Sequence, residues 1–431
     1  MTERTIAVDY LARVEGEGAL RVRIDGKKVE DVELKIFEPP RFFEAFLRGR
    51  QYAEAPDITA RICGICPVAY QMSSCHAMER ALGIQVDGTL RELRRLLYCG
   101  EWIESHALHI YLLHAPDFLG YPDAIRLAKD HPEAVARGLA LKKAGNALMR
   151  LLGGREIHPV NVRVGGFYRT PTMEEVRAIR PLMERAVDQA EQTARFAATL
   201  TFPDVEEDYE FVALRHPTEY PMNEGELVSN RGLRLPQEQF EEEFEEVQVP
   251  HSNALQSRRR GGGSYLVGPL ARYALNQDRL TPRAKAIARE IQLESVVRNP
   301  YRSILVRAVE VVLAAEESLR ILDAYRPPPS PYVAPPAHFP GGTCAAVTEA
   351  PRGILYHRYR LASDGRIEEA RIVAPTSQNQ KRIEDDLRSL VERSLTLDDA
   401  ALTGACERAI RNHDPCISCA THFLSLTVER T

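Results

Sequence analysis

Apolar residues recur along this chain with two different periods. Over Ala19-Leu20-Arg21-Val22-Arg23-Ile24, and again over Val29 to Phe37, they alternate with polar ones on either side of an Asp25-Gly26 turn. Period two across an Asp-Gly pair predicts a β-hairpin. The same signature returns late, in Ile354 to Arg360, Asp364-Gly365 and Ile367 to Val373. Between the hairpins the apolar spacing changes to three and four. Leu90 to Leu113, Ala134 to Leu152, Met173 to Leu200 and Thr281 to Tyr325 each show it, which predicts long amphipathic helices able to form a bundle. The fold class expected is α+β: a long-helix bundle core with small antiparallel sheets near both termini.

Three stretches break the pattern. Glu238 to Glu246 is acidic, with Phe240 and Phe244 four apart, and predicts a surface helix. Arg258-Arg259-Arg260-Gly261-Gly262-Gly263 predicts a basic, flexible loop; no strand-loop-helix phosphate motif surrounds it. Seven prolines between Pro327 and Pro340 predict a stiff connector. The chain then divides into an N-terminal hairpin region (1–60), a mainly helical core (61–326), the connector (327–342) and a C-terminal hairpin and ligand region (343–431), all within one large subunit.

Composition narrows the function classes. Of 431 residues, 44% are hydrophobic and 27% charged, and the net charge is −5. That mild acidity gives nucleic acid or a membrane surface no purchase. No run of about 18 apolar residues occurs. Met1-Thr2-Glu3-Arg4-Thr5 lacks a signal-peptide pattern, so the expected location is cytoplasmic. Eight cysteines are too sparse for a disulfide framework.

Four of those cysteines form two pairs at opposite ends: Arg61-Ile62-Cys63-Gly64-Ile65-Cys66-Pro67 and Asp414-Pro415-Cys416-Ile417-Ser418-Cys419-Ala420-Thr421-His422. Two Cys-X-X-Cys pairs make a soft four-sulfur metal site. A zinc module keeps its pairs about 15–20 residues apart, whereas here the fold must bring its two ends together around the ion. Cys75, Cys99, Cys344 and Cys406 show no mutual spacing and read as packing residues.

These two runs resemble the signature motifs of the large subunit of nickel–iron hydrogenases. Further matching runs follow in the family's order: Arg13-Val14-Glu15-Gly16-Glu17-Gly18, Pro40-Arg41-Phe42-Phe43-Glu44, His158-Pro159 to Gly165-Gly166, Gly263 to Arg272 and Glu349-Ala350-Pro351-Arg352-Gly353. Several look most like the soluble, NAD(P)-linked branch. The resemblance implies nickel bound by Cys63, Cys66, Cys416 and Cys419, with Cys66 and Cys419 bridging to an iron that carries carbon monoxide and cyanide. It implies a proton relay at Glu15 serving Cys416. It also implies a guanidinium over the metals at Arg352, held by Asp414, and a cyanide-binding loop at Pro375 and Thr376. A second metal, magnesium or iron, would take Glu44, His422 and the carbonyl near Ile372. His106 and His109 read as packing or supporting groups. Many members carry an Asp where this chain has Ser105.

The implied activity is reversible, heterolytic cleavage of dihydrogen. No further iron–sulfur cysteine pattern and no dinucleotide fingerprint occurs. Electrons would therefore leave through an iron–sulfur small subunit, and NAD(P) chemistry would sit on diaphorase-type flavin and iron–sulfur partners. Residues 423–431 read as a removable tail or a terminal strand. Two rival readings are a zinc-stabilised, non-catalytic scaffold subunit and a relative from the quinone-reducing complexes that share the fold. The four cysteines weigh against the second, and Glu15 and Arg352 against the first.

Overall fold

The computed structural model of the chain describes residues 3–338 and 340–421. Its first body is an antiparallel sheet of β1 (Glu3–Val8), β2 (Gly18–Asp25) and β3 (Lys28–Ile36), in that spatial order. The predicted Asp25-Gly26 hairpin joins β2 to β3. Alternation puts Leu20, Val22, Ile24, Val32 and Leu34 on one buried face. That face does not meet the helical core. It packs on two C-terminal helices, through Leu387, Leu402, Cys406 and Ile410.

The core is built of helices α1 (Pro67–Leu82), α2 (Gly88–Leu108), α3 (Pro132–Gly153), α4 (Met173–Ala198), α5 (Pro269–Asn276) and α6 (Ser303–Ala324). Helix α6 lies against both α2 and α4, and α3 packs on α2 and α4. Residues 303–315 of α6 are buried on every side, as expected of a helix that is apolar nearly all round. The last body is a sheet of β4 (Gly342–Ala350), β5 (Gly353–Leu361) and β6 (Ile367–Val373), antiparallel in that order. Helix α1 covers β4 and β5. Helices α7 (Pro375–Arg393) and α8 (Asp399–Asn412) then carry the chain back to the N-terminal sheet. The two ends thereby form one body.

Several expectations need correction. Thr281 to Tyr325 is not one helix: Pro282–Glu290 and α6 are separated by a loop in which Gln292 adopts φ +52. Pro300 prevents Asn299 from continuing a helix. Leu90 to Leu113 is α-helical only to Leu108, and His109–His114 widens into a π-turn. Glu238 to Glu246 is a single helical turn followed by strand Phe244–Gln248. Phe240 and Phe244 stack at 4.7 Å inside the protein rather than lying on a surface helix. Arg258 and Arg259 belong to the strand Leu255–Arg259 that pairs with it, and they are ion-paired to Glu245 and Glu243. Strand β4 and helices α1, α5, α7 and α8 are additions of the structure that the sequence analysis does not predict. The proline-rich stretch is pinned, with Val333 N donating to Gly165 O at 2.9 Å and Phe167 N to Pro331 O at 2.8 Å.

Candidate metal centre

The first cysteine pair sits where the chain enters α1. Cys66 is the N-cap and Pro67 the first helical residue, a favoured place for proline because its missing N–H would be unpaired there anyway. The exposed amides of that helix start are met from another helix. Glu101 of α2 accepts from Val68 N at 2.6 Å and Ala69 N at 3.2 Å. The second pair follows α8 and is reached through Asp414, at φ +52, a left-handed conformation Asp tolerates better than most residues.

The Glu15 segment docks directly on the second pair. Glu15 and Cys416 form a parallel bridge, and Ile417 N donates to Glu15 O at 2.9 Å. The approach depends on Gly16, at φ +88: a Cβ there would lie 2.5 Å from Glu38 Oε1 and 2.8 Å from Ile417 Cβ.

The four sulfurs converge. Cys63 and Cys416 Sγ are 3.5 Å apart, Cys66 and Cys419 3.6 Å, and Cys416 and Cys419 2.7 Å. All four lie within 4.8 Å of one another, and none is more than 4% exposed. Thiolates about 2.3 Å from a shared ion stand roughly 3.8 Å apart in a tetrahedron, so the set is contracted along the Cys416–Cys419 edge. Ile65 N and Cys66 N donate to Cys63 Sγ at 3.3 and 3.2 Å. Burial alone would raise the Cys63 pKa. Hydrogen bonds from the other thiols and the charge of Arg352 outweigh it and hold Cys63 well below a free thiol.

Charged groups surround this cluster. Glu15 Oε2 is 3.1 Å from Cys416 Sγ and accepts from Ser418 N at 3.1 Å. Burial, and next the nearby Cys63 thiolate, push its carboxyl above the usual range. Arg352, 3% exposed, donates from Nε to Asp414 O at 2.8 Å and from Nη2 to Asp414 Oδ1 at 3.0 Å. Ser105 Oγ accepts more loosely at 3.4 Å, so the carboxylate partner is Asp414. Burial opposes the guanidinium's charge, but Asp414 and then the cysteines keep its pKa well up.

Pro375 and Thr376 are not in a loop. They open α7, and Thr376 Oγ1 accepts from Cys416 N at 2.9 Å. The N-terminus of this 19-residue helix thus meets the second cysteine pair, where its dipole favours negative charge. Glu44 Oε1 accepts from Ile372 N at 2.7 Å, which brings those two residues together. His422 and the tail from Phe423 lie outside the described residues. His106 Nε2 faces Glu310 at 2.9 Å and His109 Nε2 the Arg411 carbonyl at 2.8 Å, so both are turned to protein partners.

Sequence reasoning passed over two supports. Arg41 Nη2 donates to Ile62 O at 2.7 Å and, by a shorter contact, to Ser418 O, stapling one cysteine run to the other. It shares the run Pro40-Arg41-Phe42-Phe43-Glu44 with Glu44. Glu101 had no local signal at all, because its partners sit 32 and 33 positions away on another helix.

The family model described as nickel-dependent hydrogenase matches residues 41–147 and 253–422. The chain belongs to the nickel-dependent hydrogenase family. It is 35% identical over 427 residues to the "Sulfhydrogenase 2 subunit alpha" of Pyrococcus furiosus, covering 98% of this chain and 100% of that one. It is 28% identical to the "NAD-reducing hydrogenase HoxS subunit beta" of Cupriavidus necator, covering 98% and 95%. The crystal structure of an NAD+-reducing NiFe-hydrogenase in its H2-reduced state superposes with a TM-score of 0.84 at 29% identity, covering 97% and 99%. As a hydrogenase large subunit the chain is an enzyme, nickel-dependent, with its four-cysteine group as the metal-binding set. Among the described residues, no helix is long and apolar enough to cross a membrane.

Proposed function

We propose that this chain is the catalytic subunit of a hydrogenase that cleaves dihydrogen heterolytically and reversibly. Nickel would be held by Cys63, Cys66, Cys416 and Cys419, and an iron bearing carbon monoxide and cyanide would share Cys66 and Cys419. The donor set suits this: four soft thiolates in one buried group favour nickel, iron or zinc over hard cations. When bound, the metals would supply the soft electrophilic centre at which dihydrogen is polarised. Glu15 Oε2, 3.1 Å from Cys416 Sγ, would take the proton released at that sulfur. Arg352, anchored at two points on Asp414, would present a fixed positive charge to the same centre. Pro375 and Thr376 would face a cyanide from the start of α7. Glu44, the Ile372 carbonyl and His422 would hold magnesium or iron.

The observation that carries this reading is the Glu15–Cys416 contact beside a buried guanidinium. A structural zinc site needs neither, which disfavours the scaffold alternative. The four thiols disfavour the quinone-reductase one. The other four cysteines are buried and scattered, so electrons would pass to an iron–sulfur small subunit. From there they would reach flavin-bearing partners and NAD(P), as the names of the HoxS relative and of the superposed structure suggest. Elemental analysis and infrared spectroscopy of the natively matured complex test the proposal. One nickel per chain with carbon monoxide and cyanide bands is expected; stoichiometric zinc without nickel in an active preparation would refute it.

A further inference from the structure

The run Gly263 to Arg272 has no part in the chemistry above, yet it closes on the turn that carries Arg352. Gly268, the N-cap of α5, sits at φ +106, and a Cβ there would lie 2.6 Å from the Arg352 carbonyl oxygen. One turn further on is Arg272, fully buried at 0% exposure. Its Nε donates to Glu310 Oε1 at 2.9 Å and its Nη2 to Glu310 Oε2 at 3.0 Å. Nη1 donates to Glu349 Oε2 at 3.0 Å and to Ala350 O at 2.6 Å, and Nη2 also reaches Pro351 O at 2.8 Å. A guanidinium has five N–H donors, and here all five are used. The Trp102 ring lies over the guanidinium at 4.4 Å, and its indole N–H donates to Glu349 O at 3.1 Å. The carbonyls of residues 349, 350 and 351 are therefore held by donors, and that of 352 is packed against a glycine.

We propose that Arg272 is a positioning residue: it fixes the Glu349–Arg352 turn so that the Arg352 guanidinium is aimed at the cysteine cluster. The inference rests on the reading of Arg352 given above. Buried ion pairs add little net stability over apolar packing, so a stabilising role alone does not account for a charged fork in a dry core. Geometry does. A lysine keeps the charge but has three donors on one atom and cannot reach two carboxylates and two carbonyls at once.

The test uses the natively matured complex carrying R272K, R352K or both. The control is I24A, a cavity variant in the N-terminal sheet, whose apolar cluster includes neither Arg272, Glu310 nor the turn, with solution conditions adjusted to match its melting temperature to that of R272K. R272K should lower kcat by roughly tenfold or more, and the double variant should be no slower than R352K alone. Hydrogen exchange over residues 349–355 should quicken by about tenfold in R272K and not in I24A. Multiplied losses in the double variant, or exchange equal to that of I24A, would overturn the proposal. If R272K does not accumulate, Trp102→Phe removes one donor while leaving every charge in place. It carries the same two readouts with an expected change of about threefold. Faster exchange in R272K with unchanged turnover in R352K would leave the clamp standing and remove the catalytic role of Arg352 instead.

Discussion

A carboxylate oxygen 3.1 Å from Cys416 Sγ is the contact on which turnover should depend most directly. Glu15→Gln keeps the shape and can still pair with Ser418 N, but it cannot take up a proton. Activity should fall by about a hundredfold or more while nickel content stays at the native level. A fully active Glu15→Gln enzyme would remove the relay. The pH profile adds a sign. The folded pKa of Glu15 is raised above 4.5 by burial and by Cys63, and the group must be ionised to accept. The acid limb of kcat should therefore lie higher than an ordinary glutamate would place it, and move when Arg352 is neutralised. At this scale the sequence was most legible where a residue type has few other uses, as with paired cysteines. It was least legible for Arg41 and Glu101, whose donors and acceptors are backbone groups that carry no residue identity.

Among elements, the decisive junction is the bridge between the Glu15 segment and the Cys416 run. It closes because Gly16 has no side chain. Gly16→Ala would place a methyl against Glu38 and Ile417, in a backbone conformation that also strains alanine. The expected result is partial or absent nickel by elemental analysis, and a melting temperature lowered by several degrees; native loading with native stability would show that the junction tolerates the group. Both hairpins were readable because Asp-Gly turns and period two are local. The Thr281 to Tyr325 break was not, since its apolar spacing runs on across a loop. Nor was the π-turn at His109–His114, which lets His109 reach the Arg411 carbonyl and His114 reach Asn412 Oδ1 at 2.9 Å.

For the whole molecule, burial of acids sets a pH dependence of stability. Burial pushes Glu246 up to about 8 despite Arg371, with Glu44 adding to the rise. A raised folded pKa contributes stability that is complete below the unfolded value and lost as pH rises through the folded one. The apparent melting temperature should therefore fall as pH rises from 4.5 to about 8 and level off above that, and Glu246→Gln should flatten that fall; an unchanged slope would exclude Glu246 as its source. The apolar alternation of Phe423, Leu424, Leu426 and Val428 is a liability if left as an open edge. We propose that the active subunit ends at His422. Intact mass decides this, and an active chain ending at Thr431 would show the tail to be retained.

Residue types and their spacing are enough for the metal chemistry and the local periods. Thiolates at Cys63, Cys66, Cys416 and Cys419 bind soft metals wherever they meet, and alternation or three-to-four spacing selects strand or helix from neighbouring residues alone. The surroundings of the thiolates come from the packing of the folded chain. That packing places α7 and α8 on the N-terminal sheet, brings Glu15 to Cys416 across 401 positions, and turns Arg272 onto the carbonyls before Arg352. Those contacts depend on which faces pack together, and packing is a property of the whole chain. Periodicity within one segment encodes which face will be buried but not the partner that will bury it.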